Sequence, residues 1–146
     1  MLALLLSIRP IFADQILKGT KKFELRRGHI RILPRTRIIL YSSHPVKAIV
    51  GEFRAGRVFV GSLGAIWNHL RRIEDSGISE LDWPYVKGSR IITAIEVVAP
   101  LRYKTPLTLN LIRSYIPNFR PPQSYKWLRK NDPLLKLIDS FSHSTR

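Results

Sequence analysis

Lys21, Glu24 and Arg26 fall within six positions and are the residues of this sequence best placed to do chemistry. Glu24 and Arg26 stand two residues apart, so in an extended segment they share one face, with Lys21 at its mouth just past Gly19. A carboxylate held there accepts from an exocyclic amine or a sugar hydroxyl, while Arg and Lys bind phosphate or a base edge. A lysine beside a carboxylate also moves protons as a general acid or base. In a catalytic reading Lys21 shares the proton transfers with Glu24, Glu52 or Glu74. The competing reading is an exposed ion pair that fixes the strand, worth about 0–1 kcal/mol.

A second group surrounds a turn. Tyr41, Ser42, Ser43 and Lys47 put an aromatic ring, two hydroxyls and an ammonium on one short stretch, which reads either as a set to grip phosphate and stack a base or as a plain polar hairpin turn. Arg27, Arg31, Arg35 and Arg37 line a loop and the strand it feeds, and suit contact with a phosphate backbone. Gln123 and Ser124 either line the same cleft or cap a helix that follows. Trp67 continues an apolar helical stripe and is read as core; Trp83 and Trp127 stay open.

Positioning these residues requires a mixed fold. Leu2–Ser7 is an apolar run read as a buried strand. Pro10 then suits the first position of a helix that buries Phe12, Ala13, Ile16 and Leu17, and Gly19 supplies its left-handed C-terminal stop. Strands follow over 21–27, 36–42 and 46–59, the last with Gly51 and Gly56 marking bulges or a barrel corner. Leu63, Ile66, Trp67, Leu70 and Ile73 recur at helical spacing, which predicts a helix over 62–75. A short helix or turn spans 79–86. The β-branched run 90–98 reads as a strand ending at Pro100, with a further short strand over 101–106. Helical pieces are expected over 107–116, 124–130 and 133–141, with Pro117, Pro121 and Pro122 separating the first two. Residues 142–146 read as a frayed tail. Strands interrupted by helices without regular alternation predict a single α+β domain around a small barrel of five to six strands.

The composition narrows the partners. Lys and Arg number 25 against 10 Asp and Glu, a formal charge of +15 in 146 residues with a pI near 11.0. Such an excess attracts polyanions, nucleic acid first. The apolar opening, Met1–Leu6, is far shorter than the roughly 20 residues that span a bilayer, which predicts an intracellular, cytoplasmic protein without a membrane partner. Cysteine is absent, and His29, His44, His69 and His143 lack ligand spacing, so neither a metal nor another cofactor is expected. Oligomeric state is not legible.

Four fragments in order resemble a known family. Gly19-x-Lys21-x-x-Glu24-x-Arg26 resembles the GxKxxExR signature of the ASCH domain, a branch of the PUA-like superfamily. Ser7-Ile8-Arg9-Pro10-x-Phe12-Ala13-x-x-Ile16-Leu17 is similar to the ASCH opening. Residues 41–53, YSSHPVKAIVGEF, resemble a strand pair of small prokaryotic members, and Pro121-Pro122-Gln123-Ser124-Tyr125 resembles their C-terminal element. The resemblance covers residues 3–128. It implies a PUA-like β-barrel with flanking helices that binds RNA or a modified nucleotide, with Lys21, Glu24 and Arg26 at the pocket. A minority branch removes an acyl group from N4-acetylcytidine, using a lysine at the Lys21 position and a threonine where this chain carries Glu24. Enzyme readings therefore stay open as amidohydrolase or ribonuclease. DNA or protein binding is the remaining alternative, since the predicted helix over 63–73 carries Arg71 and Arg72.

Overall fold

The computed structural model describes residues 2–145, with side chains through Phe141. Its elements are β1 (Ala3–Ile8), α1 (Pro10–Lys18), β2 (Phe23–Arg27), β3 (Arg37–Ser42), β4 (Ala48–Ser62), α2 (Leu63–Arg71), α3 (Trp83–Val86), β5 (Ile91–Thr108), α4 (Leu109–Tyr115), β6 (Tyr125–Leu128) and α5 (Pro133–Thr145). The six strands make one sheet in the order β2-β5-β4-β3-β1-β6, with β1 and β3 parallel and the other pairs antiparallel.

The sheet curls because its two longest strands bend. Pairing of β4 with β5 slips between Ile49 and Gly51, between Glu52 and Arg54, and between Ala55 and Val58, where unequal numbers of residues on the two strands sharpen the twist. Gly51 also admits α1: a Cβ there would lie 2.5 Å from the Leu101 carbonyl oxygen and 2.7 Å from the Leu17 side chain. The curl encloses a core of Leu4, Leu6, Ile8, Phe12, Ile16, Ile38, Leu40 and Phe53, and Ile30 and Ile32 of the loop after β2 plug it. On the other face, Leu5, Ile39, Ile49, Tyr103 and Leu107 pack under α4 and α5. Burial on both faces explains why β1 reads as an unbroken apolar run. A third cluster, with Leu25, Ile66, Leu70, Val86 and Ile92, lies under α2 and α3.

Three expectations change. The stretch 124–130 is not a helix: Tyr125–Leu128 forms β6, pairing antiparallel with Leu6–Ala3 of β1. Without it β1 would be an open, apolar edge, and that tertiary demand overrides a stripe that fits either element. Pro100 does not end a strand. It sits where Ala99 turns to φ +51° and the register steps from Val98 opposite Arg54 to Leu101 opposite Glu52, so a missing N–H breaks no ladder there. Helix α2 stops at Arg71, short of 75, and its start is capped by Ser62 Oγ accepting from Ala65 N–H. The helix over 107–116 is observed as 109–115, capped by Thr108. The backbone of α5 is helical to Thr145, and the side chains of 142–146, expected to fray, lie outside the described residues.

Among the described residues no helix is long and apolar enough to cross a membrane, and no cluster of His, Asp and Glu could hold a metal ion.

Candidate functional site at the sheet seam

The two sheet edges, β2 and β6, do not pair with each other. Arg26 bridges them instead. Its Nη1 donates to the Ser7 carbonyl oxygen at 3.1 Å, and its Nη2 donates to the Ser124 carbonyl oxygen and Oγ, both at 2.9 Å. Ser124 is fixed from the other side, since its carbonyl also accepts from Ser7 N–H at 2.9 Å, while Ser7 Oγ donates to Pro122 O at 2.6 Å. The arginine thus acts as a clasp across the seam of the barrel.

A cavity of about 340 Å³ opens at this seam, a size at the lower end of small-molecule sites. One wall is β2, with Glu24, Arg26 and Arg27; the opposite wall is Ser7, Ile8 and Arg9 with Gln123 and Ser124; Asp82, Tyr85 and Val86 close the third side. Glu24 is only 4% exposed, and its Oε2 accepts from Arg26 Nη1 at 3.1 Å. No other hydrogen bond engages that carboxylate among the described residues, and the unbonded Oε1 is not sealed from solvent, so the cavity-lining Glu24 keeps one free acceptor. The Arg9 guanidinium lies over the Tyr85 ring at 4.7 Å, and Tyr85 meets Phe12 edge to face at 5.3 Å. An Arg–Tyr contact beside a carboxylate can offer a stacking surface and a hydrogen-bond acceptor to a planar ring.

Lys21 does not line this cavity. It is 1% exposed, directly behind the third wall, where its Nζ donates to Asp82 Oδ1 and sits 4.9 Å from the Phe12 ring centroid. Asp82 Oδ2 accepts from Ser79 N–H at 3.0 Å. The buried pair ties the segment bearing Tyr85 and Val86 onto the sheet. The left-handed Gly19, φ +83°, and the Thr20 and Lys21 N–H groups that both donate to Gln15 O turn the chain so that Lys21 points inward.

The other expected site residues divide. Arg27 Nη1 donates to the Lys87 carbonyl at 2.8 Å and so holds the end of α3. Arg37 forks onto Glu52, Nε to Oε2 at 3.1 Å and Nη2 to Oε1 at 2.8 Å, and pairs with Asp139 of α5. The Tyr103 hydroxyl donates to Glu52 Oε1 at 2.6 Å. Burial, then the neighbouring Glu52 charge, pushes the Tyr103 phenol well above its usual range. Although burial disfavours its charge, the bonds to Glu52 raise Arg37 further. Arg31 and Arg35 are exposed on the loop after β2.

Tyr41 and Ser42 are buried in β3, and Ser43 and Lys47 bound the turn that follows, with Ser43 N–H donating to Ile8 O at 2.9 Å. Burial raises the Tyr41 phenol, opposed by the Arg113 charge. None of the four lines the seam cavity. Glu74 is exposed in the turn after α2, also outside it. Gln123 and Ser124 do line it, and a strand follows them, so they cap no helix. Trp67 packs edge to face on Trp83 at 5.0 Å, and Trp127 packs against the barrel core.

Sequence reasoning missed Arg9, Asp82 and Tyr85. Arg9 appeared only within the opening fragment before Pro10, with no role assigned, and Asp82 and Tyr85 lie in a segment with neither periodicity nor motif spacing. Their only advance signal was an acid beside aromatics, Asp82-Trp83-Pro84-Tyr85.

The curled six-stranded sheet with its clasped seam is a PUA-like α+β barrel. No family model matches the chain. It is 31% identical over 130 residues, covering 87% of this chain and 84% of the relative, to an ASCH domain-containing ribonuclease of Zymomonas mobilis. The chain belongs to the ASCH domain family. The crystal structure of ASCH from Zymomonas mobilis superposes with a TM-score of 0.79 at 29% identity, covering 94% of each chain. A tyrosine-to-phenylalanine variant of that protein gives 0.80 at 28%, covering 94% of this chain and 96% of that one. The N-terminal domain of Staphylothermus marinus McrB shares the fold alone, with a TM-score of 0.61 at 16% identity over 99% and 94% of the chains.

Proposed function

We propose that this protein binds single-stranded RNA and takes one base, ordinary or modified, into the seam cavity. The observation that carries this reading is the free Glu24 carboxylate oxygen in the same cavity as the Arg9–Tyr85 contact, a cavity sized for one nucleoside on a strongly basic chain. Glu24 accepts from an exocyclic amine of cytosine, adenine or guanine; uracil has no such amine and is disfavoured. Arg26 and Ser124 hold the cavity open at fixed width, and Lys21 holds its third wall through Asp82. The exposed arginines on the loop after β2, Arg31 and Arg35, add backbone attraction. Fluorescence anisotropy with labelled homo-oligoribonucleotides at several salt concentrations tests this. Binding that weakens steeply with salt and ranks uridine lowest supports the reading; no binding at low salt refutes it. Equal titrations with DNA of the same length decide the sugar preference.

A second reading adds cleavage of the bound strand, and the relative's description as a ribonuclease favours it. Glu24 is then the group that meets the reacting hydroxyl, with Lys21 supporting Asp82 from behind. Incubation with single-stranded RNA, followed by mass spectrometry of the products, tests it: products that vanish in Glu24→Gln support cleavage, and an intact substrate removes it. N4-acylated cytidine included in the same assay tests the amidohydrolase alternative.

A further inference from the structure

A strand whose base enters the seam cavity must set its phosphates elsewhere, because Glu24 and Asp82 repel them. Residues 97–131 contain seven Lys and Arg and no Asp or Glu, the longest stretch of the chain without an acidic residue. Within it, a depression of about 400 Å³ is lined by Arg113 of α4 and by Pro117, Asn118, Phe119 and Arg120 of the following loop. Arg113 Nε donates to the Phe119 carbonyl at 3.1 Å, which fixes the guanidinium plane. Its two Nη groups have no partner among the described residues, and the Arg120 and Asn118 side chains have none either. Among the described residues no carboxylate lines the depression.

We infer that this depression is a phosphodiester site for the RNA strand, with Arg113 and Arg120 as paired donors and Asn118 as a neutral third. The inference rests on the RNA reading above and extends it to a second, separate surface. A guanidinium held by one nitrogen, with both others free, presents the fork that matches two phosphate oxygens. An arginine kept only for solubility would not need its plane fixed.

Chain connectivity ties the two sites together. Arg120 is followed by Pro121, Pro122, Gln123 and Ser124, and the last two line the seam cavity. Three residues of extended chain reach at most about 10 Å, and the two prolines stiffen the connection. Ser7 Oγ holds the Pro122 carbonyl, so the spacing is anchored to β1. At roughly 3.4 Å per stacked nucleotide, that span of chain corresponds to at most about three nucleotides.

Anisotropy titrations of an eight-nucleotide single-stranded RNA against salt test the site. The variants are Arg113→Gln, Arg120→Gln, their double, and Arg72→Gln as an exposed control outside both cavities. The salt slope should become shallower by about 0.7 for each single variant and about 1.4 for the double, from the single-strand counterion term. The base ranking should not change, and Arg72→Gln should retain the wild-type slope. A double variant with wild-type slope and affinity overturns the phosphate site while leaving RNA binding in the seam cavity intact. A wild-type protein that binds no RNA overturns both. Among the described residues the Arg120 side chain makes no bond, so a misfolded loop does not explain its effect; an unchanged slope in Arg120→Gln alone counts against the site.

Discussion

Replacing Lys21 by methionine keeps most of the side-chain volume on the Phe12 ring and removes only the ammonium. Its partner Asp82 is then left 4% exposed without a counter-charge, keeping one hydrogen bond from Ser79 N–H. Breaking a buried pair in this one-sided way costs about 3–5 kcal/mol, because the remaining ion cannot recover its water. In a domain of this size that corresponds to a fall in Tm of roughly 10 °C. Urea unfolding at neutral pH, followed by far-ultraviolet circular dichroism, reads the loss as a lower midpoint at unchanged slope. The double variant Lys21→Met/Asp82→Asn removes both charges yet keeps an acceptor for Ser79, so it should recover most of the loss. Lys18→Met is the exposed comparison: its pair with Asp14 is open to water, with side chains 64% and 44% exposed, and its loss should stay within about 0.5 kcal/mol. A Lys21→Met cost below 1 kcal/mol, or a double variant as unstable as the single, would refute the claim that this lysine anchors the third wall.

Other substitutions follow from the same geometry. Arg26→Ala opens the seam by deleting bonds to Ser7, Ser124 and Glu24; it should cost about 2–3 kcal/mol in urea unfolding and weaken oligoribonucleotide binding at temperatures where the fold is intact. Gly19→Ala meets no neighbouring atom but forces an L-residue to φ +83°, so chemical denaturation should show a loss of about 1–2 kcal/mol. Tyr103→Phe deletes the bond to Glu52 and should cost about 1.5–3 kcal/mol at neutral pH. The Tyr103 phenol is raised in the fold above the ordinary value near 10, so its contribution is complete below about pH 10 and is lost as pH climbs towards the folded value. Stability measured across that range should therefore fall less steeply in Tyr103→Phe than in the wild type, and parallel alkaline slopes would contradict the assignment.

The parts of the fold that local rules determine were legible in the sequence. Pro10 and Gly19 bracket α1 where first-turn and left-handed preferences place them, and Gly51 and Gly56 mark the slipped pairing of β4. What depended on distant partners was not. Tyr125–Leu128 becomes a strand because β1 needs an edge partner, which nothing within four residues can announce. The candidate site divides the same way. Glu24 and Arg26 share a face, as their spacing requires, yet alternation could not reveal that Arg26 reaches Ser124, 98 positions away, or that Lys21 turns inward to Asp82, 61 positions away. Arg37 looked like a phosphate ligand because Glu52, its partner, lies 15 residues on in the adjacent strand. Arg9 and Tyr85 meet only once α1 and α3 are packed, so their contact was invisible to any reading of neighbours.

The central claim is that the seam cavity takes a base of single-stranded RNA through Glu24 and the Arg9–Tyr85 pair. The most direct measurement is the affinity of the wild type, Glu24→Gln and Tyr85→Ala for cytidine, adenosine and uridine homo-oligomers at one fixed salt concentration. Tyr85→Ala should weaken all three by about 1–3 kcal/mol, the worth of one stacked base, while Glu24→Gln should erase the preference of the wild type for amine-bearing bases over uridine. Variants that bind with the affinity and base ranking of the wild type would place the RNA elsewhere and contradict the account.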